Sequence, residues 1–131
     1  MKSNLSSEKY LSITTYTKDK RPKSTPVWFA FSEDDKLCII SKCDTWKAKR
    51  IRRDPMVLVC ACDARGNVES GTESFPGNAS IYSSDTVEFE SSHTNLAGKY
   101  GVLYWVLNMI SKLSRKKQCT IMIKLTADGS S

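Results

Sequence analysis

Between Leu37 and Cys62 the hydrophobic period of the chain changes twice. Leu37–Ser41 (LCIIS) and Met56–Cys62 (MVLVCAC) are short, apolar and bounded by polar residues or proline, the pattern of buried strands. The residues between them, Trp46–Arg53 (WKAKRIRR), are largely good helix formers. Asp44 or Thr45 supplies an N-cap. Pro55 ends the helix, because the residue before a proline is pushed out of helical space. A strand, a short basic helix and a second strand therefore follow one another with almost no linker.

The flanking segments add strands. Tyr10–Tyr16 (YLSITTY) is rich in β-branched and aromatic residues with partial alternation. After the charged turn from Lys18 to Pro22, Lys23–Phe31 (KSTPVWFAF) resumes as a strand, with Pro26 marking an edge or a bulge. Glu33–Lys36 is a polar turn before Leu37, so the first three strands make an antiparallel meander. Beyond Cys62, Asp63–Asn67 is a turn in which Gly66 takes the positive φ of a tight reversal. Glu69–Ser92 is rich in Ser, Gly, Thr and Asn with few apolar anchors. Short strands are predicted there over Ala79–Tyr82 and Thr86–Phe89, around Ser83-Ser84-Asp85. Thr94–Leu113 reads as a helix, with Leu96, Tyr100, Leu103, Leu107 and Ile110 spaced by threes and fours. Ser114-Arg115-Lys116-Lys117 puts cations where a helix C-terminus favours them, and Thr120–Leu125 closes the chain as a last strand. The expectation is a mainly β, α+β domain over residues 1–131, with about six strands and two helices.

A chain of 131 residues suits one domain, and 40% hydrophobic residues give it a thin core, so a homodimer is expected. The net charge of +6 implies an anionic partner: nucleic acid, phosphate, a polycarboxylate or a membrane surface. Met1–Lys9 is polar with no apolar secretion segment after it, and the apolar run Val102–Leu107 is too short to span a bilayer. A cytoplasmic protein without a membrane span is expected. In that setting Cys38, Cys43, Cys60, Cys62 and Cys119 read as small buried hydrophobes. Cys60-Ala-Cys62 lacks a second Cys/His pair, so no metal site is expected. His93 is the sole histidine and lies in a polar stretch, expected at the surface, which disfavours a Ser/His/Asp triad or a His-rich metal centre. There is no phosphate-binding glycine loop. No catalytic side chain is named: an enzyme of this composition would take its reactive atom from a cofactor.

The concentrated signal is Ser41–Arg53, where Lys42, Lys47, Lys49, Arg50, Arg52 and Arg53 face a single acid, Asp44. The N–H groups at the helix N-terminus, with the Ser41 and Thr45 hydroxyls, form an anion site. Lys47 and Arg50, three residues apart, fall on one face and can close on the same phosphate, the arginine bidentately. The competing interpretation is a solvated basic face with Ala48 and Ile51 turned inward. A second candidate is Ser24-Thr25-Pro26-Val27-Trp28-Phe29, where an edge proline frees neighbouring groups for a flat ligand; a plain β-core with an edge proline is the alternative.

Ser24–Phe29, Asp44–Pro55, Cys62-Asp63-Ala64-Arg65-Gly66 and Lys99-Tyr100-Gly101, in this order and spacing, resemble the pyridoxamine-phosphate-oxidase-like superfamily of split barrels. The resemblance is greatest to the subgroup that uses the deazaflavin coenzyme F420. It covers Tyr10–Leu125, is most specific from Thr25 to Gly66 and weakest over Glu69–Ser92. It implies a six-stranded antiparallel split β-barrel with two or three helices, homodimeric, with cofactor sites at the subunit interface. Under this resemblance Lys47 and Arg50 hold the cofactor phosphate, and Ser41, Thr45 and nearby amides complete the site. Thr25, Pro26, Val27 and Trp28 lie along the ring, and Lys49 and Arg53 meet a polyglutamate tail. Tyr100 and Trp105 become interface residues, with core packing the other role open to Trp105. The implied reaction is hydride transfer from the reduced cofactor to a small-molecule acceptor with an electron-poor double bond. Flavin mononucleotide (FMN), held by the same Lys47 and Arg50, is the alternative cofactor. A non-catalytic carrier of flavin, heme or fatty acid is a further alternative on the same barrel. A nucleic-acid-binding barrel is disfavoured, because the aromatics sit in apolar segments rather than among the basic residues.

Overall fold

The computed structural model describes residue 5, residues 8–101 and residues 117–126. Within them the chain runs β1 (Tyr10–Tyr16), β2 (Pro22–Val27), β3 (Ala30–Phe31), β4 (Leu37–Lys42), α1 (Trp46–Arg53), β5 (Met56–Cys62), β6 (Phe75–Ser83), α2 (Val87–Tyr100) and β7 (Gln118–Leu125). The strands form one sheet of order β2-β1-β5-β6-β7-β4-β3 with every pairing antiparallel. Its two edges, β2 and β3, are joined only by Trp28 and Phe29. Two residues reach about 7 Å, so the edges must lie side by side and the sheet curls into a barrel with a seam at that link.

Alternation fills the barrel. Leu11 and Ile13 of β1, Leu37 and Ile39 of β4, Val57 and Val59 of β5, and Ile121 and Ile123 of β7 point inward and are almost wholly inaccessible. Each contributes about 1.5–3 kcal/mol of burial energy. Outside, α2 covers β3, β4 and β7, and its Leu96 packs with Ala30, Ile40 and Trp28. The buried Thr120 on that face donates to the Ile39 carbonyl (3.0 Å) and sits 2.6 Å from the Ser92 hydroxyl, so its polar group is satisfied. β6 approaches β7 closely only because residue 77 is glycine: a Cβ there would stand 2.7 Å from an Ile123 methyl and 2.9 Å from the Lys124 carbonyl.

α1 forms as its sequence dictates. The Thr45 hydroxyl accepts from the Ala48 N–H (3.1 Å) as N-cap, and Asp54, extended ahead of Pro55, ends the helix. Ala48 and Ile51 are buried, and the helix lies over β1 and β6, across the barrel end where β1 and β4 finish and β5 begins. Gly66 has φ +87° in the Asp63–Asn67 turn, as expected.

Several expectations are corrected. The described strands number seven rather than six, because Lys23–Phe31 is not continuous: it breaks at Trp28–Phe29, where the chain leaves one sheet edge for the other. β6 is longer than Ala79–Tyr82, since its ladders with β5 and β7 take in Phe75–Asn78. Thr86–Phe89 is not a strand. The Thr86 hydroxyl accepts from the Phe89 N–H (3.2 Å), and Glu88 and Glu90 occupy the first turn, so the helix starts at Val87 instead of Thr94. The described helix ends at Tyr100 with Gly101, φ +61°, as its C-cap; Leu103, Trp105, Leu107, Ile110 and Leu113 lie outside the described residues. Cys43 and Cys119 are not two separate buried hydrophobes but a disulfide, because the β4–β7 ladder brings the loop after β4 beside the start of β7. His93 is half-buried and stacks on Phe89.

Candidate functional site

At 100° per residue, α1 divides its cations among three sides. Ala48 and Ile51 point into the barrel. Lys47 and Arg50 fall on the flank over β1, where Arg50 Nη1 donates to Thr15 Oγ1 at 3.5 Å, a long and weak bond. Arg52 falls on the opposite flank and donates to the Cys43 carbonyl at 3.0 Å. Lys49 and Arg53 are exposed on the outer side, Lys49 with its ammonium 4.8 Å from the centre of the exposed Trp46 ring.

Lys47 and Arg50 make an unusual pair. Lys47 is largely withdrawn from water, and burial first, then the positive charge of Arg50, holds its pKa below the ordinary lysine value. Two like charges have been brought together and partly desolvated. The ion pairs among the described residues include Lys20–Asp54 and Lys36–Asp34, and no described carboxylate is paired with Lys47 or Arg50. Such a donor set is complementary to a dianion, and a phosphate suits it: arginine offers a planar fork, lysine a compact charge. The Thr45 hydroxyl is engaged in the cap and reaches the Lys42 carbonyl at 3.4 Å. The N–H groups of Trp46 and Lys47 lack intrahelical acceptors, as the first N–H groups of any helix do. Ser41 shares the inward side of β4 with Ile39, opposite Cys119 of β7.

The second predicted segment connects to the first through β1. Thr25 stands opposite Ile13, and Lys23 opposite Thr15, the residue that Arg50 touches. Thr25 and Val27 therefore share the inward face of the sheet with Leu11, Ile13 and Thr15, and Val27 packs against the barrel core. Pro26 faces the other way, opposite Ser12 and packed against Gly66. Trp28 lies in the seam, its indole stacked on the Tyr100 ring with centroids 4.4 Å apart. The structure thus sets Lys47 and Arg50 on the flank over β1 with Arg50 at Thr15, turns Thr25 and Val27 toward the barrel interior, leaves Lys49 and Arg53 facing out, and packs Pro26 of β2 against the Asp63–Asn67 turn.

Four functional features were not read from the sequence. Thr15 receives Arg50. Tyr100 closes the seam: its hydroxyl accepts from the Phe29 N–H (3.1 Å) and lies within donating reach of the Lys9 and Phe29 carbonyls (2.8 and 3.0 Å). Lys99 lays its ammonium 3.4 Å from the centre of the Phe29 ring with no hydrogen-bond partner, and burial lowers its pKa to about 8. Cys43 and Cys119, separated by 76 residues, join covalently. The alternation of β1 carried a local signal for Thr15, and the Lys99-Tyr100-Gly101 motif pointed to Tyr100 as an interface residue but not to its place in the seam. Among the described residues no helix is long and apolar enough to cross a membrane.

A family profile for pyridoxamine 5'-phosphate oxidase matches residues 1–129. No curated protein sequence matches the chain. Among solved structures it is similar to an F420 reductase, 18% identical with TM-score 0.66, covering 95% of this chain and 92% of that one. It is similar to HutZ, the heme storage protein from Vibrio cholerae, 13% identical with TM-score 0.69, covering 91% and 82%. It is also similar to a pyridoxamine 5'-phosphate oxidase-related, FMN binding protein from Nostoc punctiforme, 19% identical with TM-score 0.61, covering 95% and 74%. At these identities the likeness is one of fold, and the fold is the split barrel expected from the sequence.

Proposed function

This chain belongs to the pyridoxamine 5'-phosphate oxidase family, and from that premise we propose that it is an oxidoreductase holding a phosphorylated flavin-type cofactor, coenzyme F420 or alternatively FMN. The observation that carries the proposal is the pairing of Lys47 with Arg50, two half-buried cations without a carboxylate partner. When bound, the reduced cofactor supplies a hydride to an electron-poor small-molecule acceptor.

The protein's own residues bind and orient. Lys47 and Arg50 hold the phosphate, with the free amides at the start of α1 and the Ser41–Thr45 loop beside them. The edge strand β2, through its backbone from Thr25 to Val27, flanks the ring, and Trp28, fixed by Tyr100, bounds it. Exposed Lys49 and Arg53 suit the carboxylates of a polyglutamate tail, which F420 carries and FMN lacks. A homodimer completes the site; exposed Trp46 and Met56, 69% and 57% accessible, give the second copy apolar surface to cover beside α1. Because fold does not fix function, the F420 reductase, the FMN binding protein and the heme storage protein of the same fold keep a carrier role as the rival.

Turnover separates the two. Purified protein is mixed with each reduced cofactor and a panel of activated alkenes and nitroaromatics, anaerobically. Oxidation of many cofactor equivalents per protein supports the oxidoreductase. Binding with no oxidation beyond one equivalent supports the carrier.

A further inference from the structure

We infer that the Cys43–Cys119 disulfide is a redox-sensitive clamp on the loop that positions α1. The affinity arm of this inference rests on the proposed function; the conformational arm does not. Cys43 lies between β4 and α1, in the loop that ends in the N-cap Thr45. Four contacts converge on this loop. The Cys43 N–H donates to the Lys117 carbonyl at 2.9 Å, the Cys43 carbonyl accepts from Arg52 in the last turn of α1, Thr45 reaches back to the Lys42 carbonyl, and the disulfide binds Cys43 to β7. Three are single hydrogen bonds at a partly exposed site, so the covalent link is the strongest restraint on where α1 begins. Lys47 follows two residues after Thr45, so freeing the loop loosens the first turn of α1 and the Lys47 side of the pair, while buried Ala48 and Ile51 keep the helix on the barrel.

The bond is placed for exchange. Cys43 is partly exposed, whereas Cys119 is buried and lines a cavity of about 500 Å³ together with Ile51, Arg52 and Ser83. The Arg52 guanidinium, 3.0 Å from the Cys43 carbonyl, puts positive charge beside the bond, which stabilises a departing thiolate. The step is ordinary thiol–disulfide exchange with a dithiol reductant. A reductant thiolate attacks Cys43 Sγ, the Cys43–Cys119 bond breaks, and Cys119 leaves as a thiolate that takes up a proton. The second reductant thiol then attacks the mixed disulfide, releasing Cys43 as a thiol. Two electrons pass to the protein, and the reductant leaves as its cyclic disulfide. Cys38, Cys60 and Cys62 remain thiols throughout.

The test compares air-oxidised protein, the same protein treated with dithiothreitol without denaturant, and the C43S/C119S variant. Thiol titration after unfolding should give three thiols before reduction and five after, from the five cysteines of the chain. Amide hydrogen exchange over residues 43–50 should speed up on reduction and in the variant, while β1 and β5 stay protected. Affinity for FMN should fall by about fivefold or more in both, the size of an ordinary coupling between sites. Five thiols in the oxidised protein, a bond that dithiothreitol opens only in denaturant, or unchanged exchange over 43–50 would overturn the clamp. If exchange speeds up and FMN binds equally to all three forms, the link to the anion pair is wrong. If FMN and F420 bind none of them, the cofactor assignment fails and the clamp is decided by exchange alone.

Discussion

Tyr100 stacks face to face on Trp28, with ring planes 8° apart, while its hydroxyl takes the backbone N–H of the next residue, Phe29. One side chain thus satisfies the strand-less link between the two barrel edges and fixes the ring beside the proposed cofactor. Phe29 is fully buried, so water cannot replace the lost bond. Tyr100→Phe should destabilise the fold by about 1–3 kcal/mol, the cost of a buried unpaired amide, with the stack and the denaturant slope preserved. Urea unfolding measures it; a loss within experimental error would mean that the seam is held by other contacts.

The depressed pKa of Lys47 predicts a pH dependence of anion affinity. A phosphate prefers the charged lysine. Burial and Arg50 make Lys47 lose its proton below the ordinary value of 10.5. Phosphate affinity should therefore decline with rising pH before the normal lysine range is reached, and binding in that window should take up a proton. Calorimetry in two buffers of different ionisation enthalpy reads the uptake. In Lys47→Arg the decline should disappear, because arginine stays charged.

Lys99 makes a prediction about stability alone. Its folded pKa, about 8, lies below the ordinary 10.5. Below pH 8 both folded and unfolded chains carry the charge, and the folded chain bears the full cost of burying it. Between pH 8 and 10.5 the folded chain releases its proton first, so stability rises with pH across that window. Discounted for a side chain still half in water, the penalty is about 2 kcal/mol, against about 1 kcal/mol of attraction to the Phe29 ring. Lys99→Met should therefore be more stable than the native chain by about 1 kcal/mol at pH 7, and the gap should shrink toward pH 10. A gap of the opposite sign, or one independent of pH, contradicts this account of Lys99.

Gly77→Ala tests the packing of β6 on β7. The added methyl meets the Lys124 carbonyl oxygen at 2.9 Å as well as a side chain, and backbone yields less readily than a rotamer. A loss of about 1–3 kcal/mol is expected from overpacking, read as a lowered thermal midpoint.

What the sequence disclosed was local chemistry. α1 was legible to within a residue at its ends because Asp44 or Thr45 marks its start and Pro55 its stop, and β5 because Met56–Cys62 is uninterrupted. Lys47 and Arg50 were legible as a pair from their three-residue spacing. The break at Trp28–Phe29 was not, since VWFAF is a good strand and the group that interrupts it, Tyr100, lies 71 residues away. Nor was the disulfide, which depends on the β4–β7 register. The start of α2 was misjudged for a different reason: Thr86, Val87 and Phe89 favour strands individually, and the cap overrides them.

The most direct test of the cofactor site is a parallel titration of the native protein and the K47A/R50A variant with F420 and with FMN. The native chain should bind at least one with micromolar or tighter affinity. The double variant should keep its thermal midpoint and lose about a hundredfold or more in affinity, since each charge-assisted contact contributes about 1.5–3 kcal/mol. Equal affinity in native and variant protein, or no binding of either cofactor to the native chain, would contradict the assignment of Lys47 and Arg50 as the phosphate site.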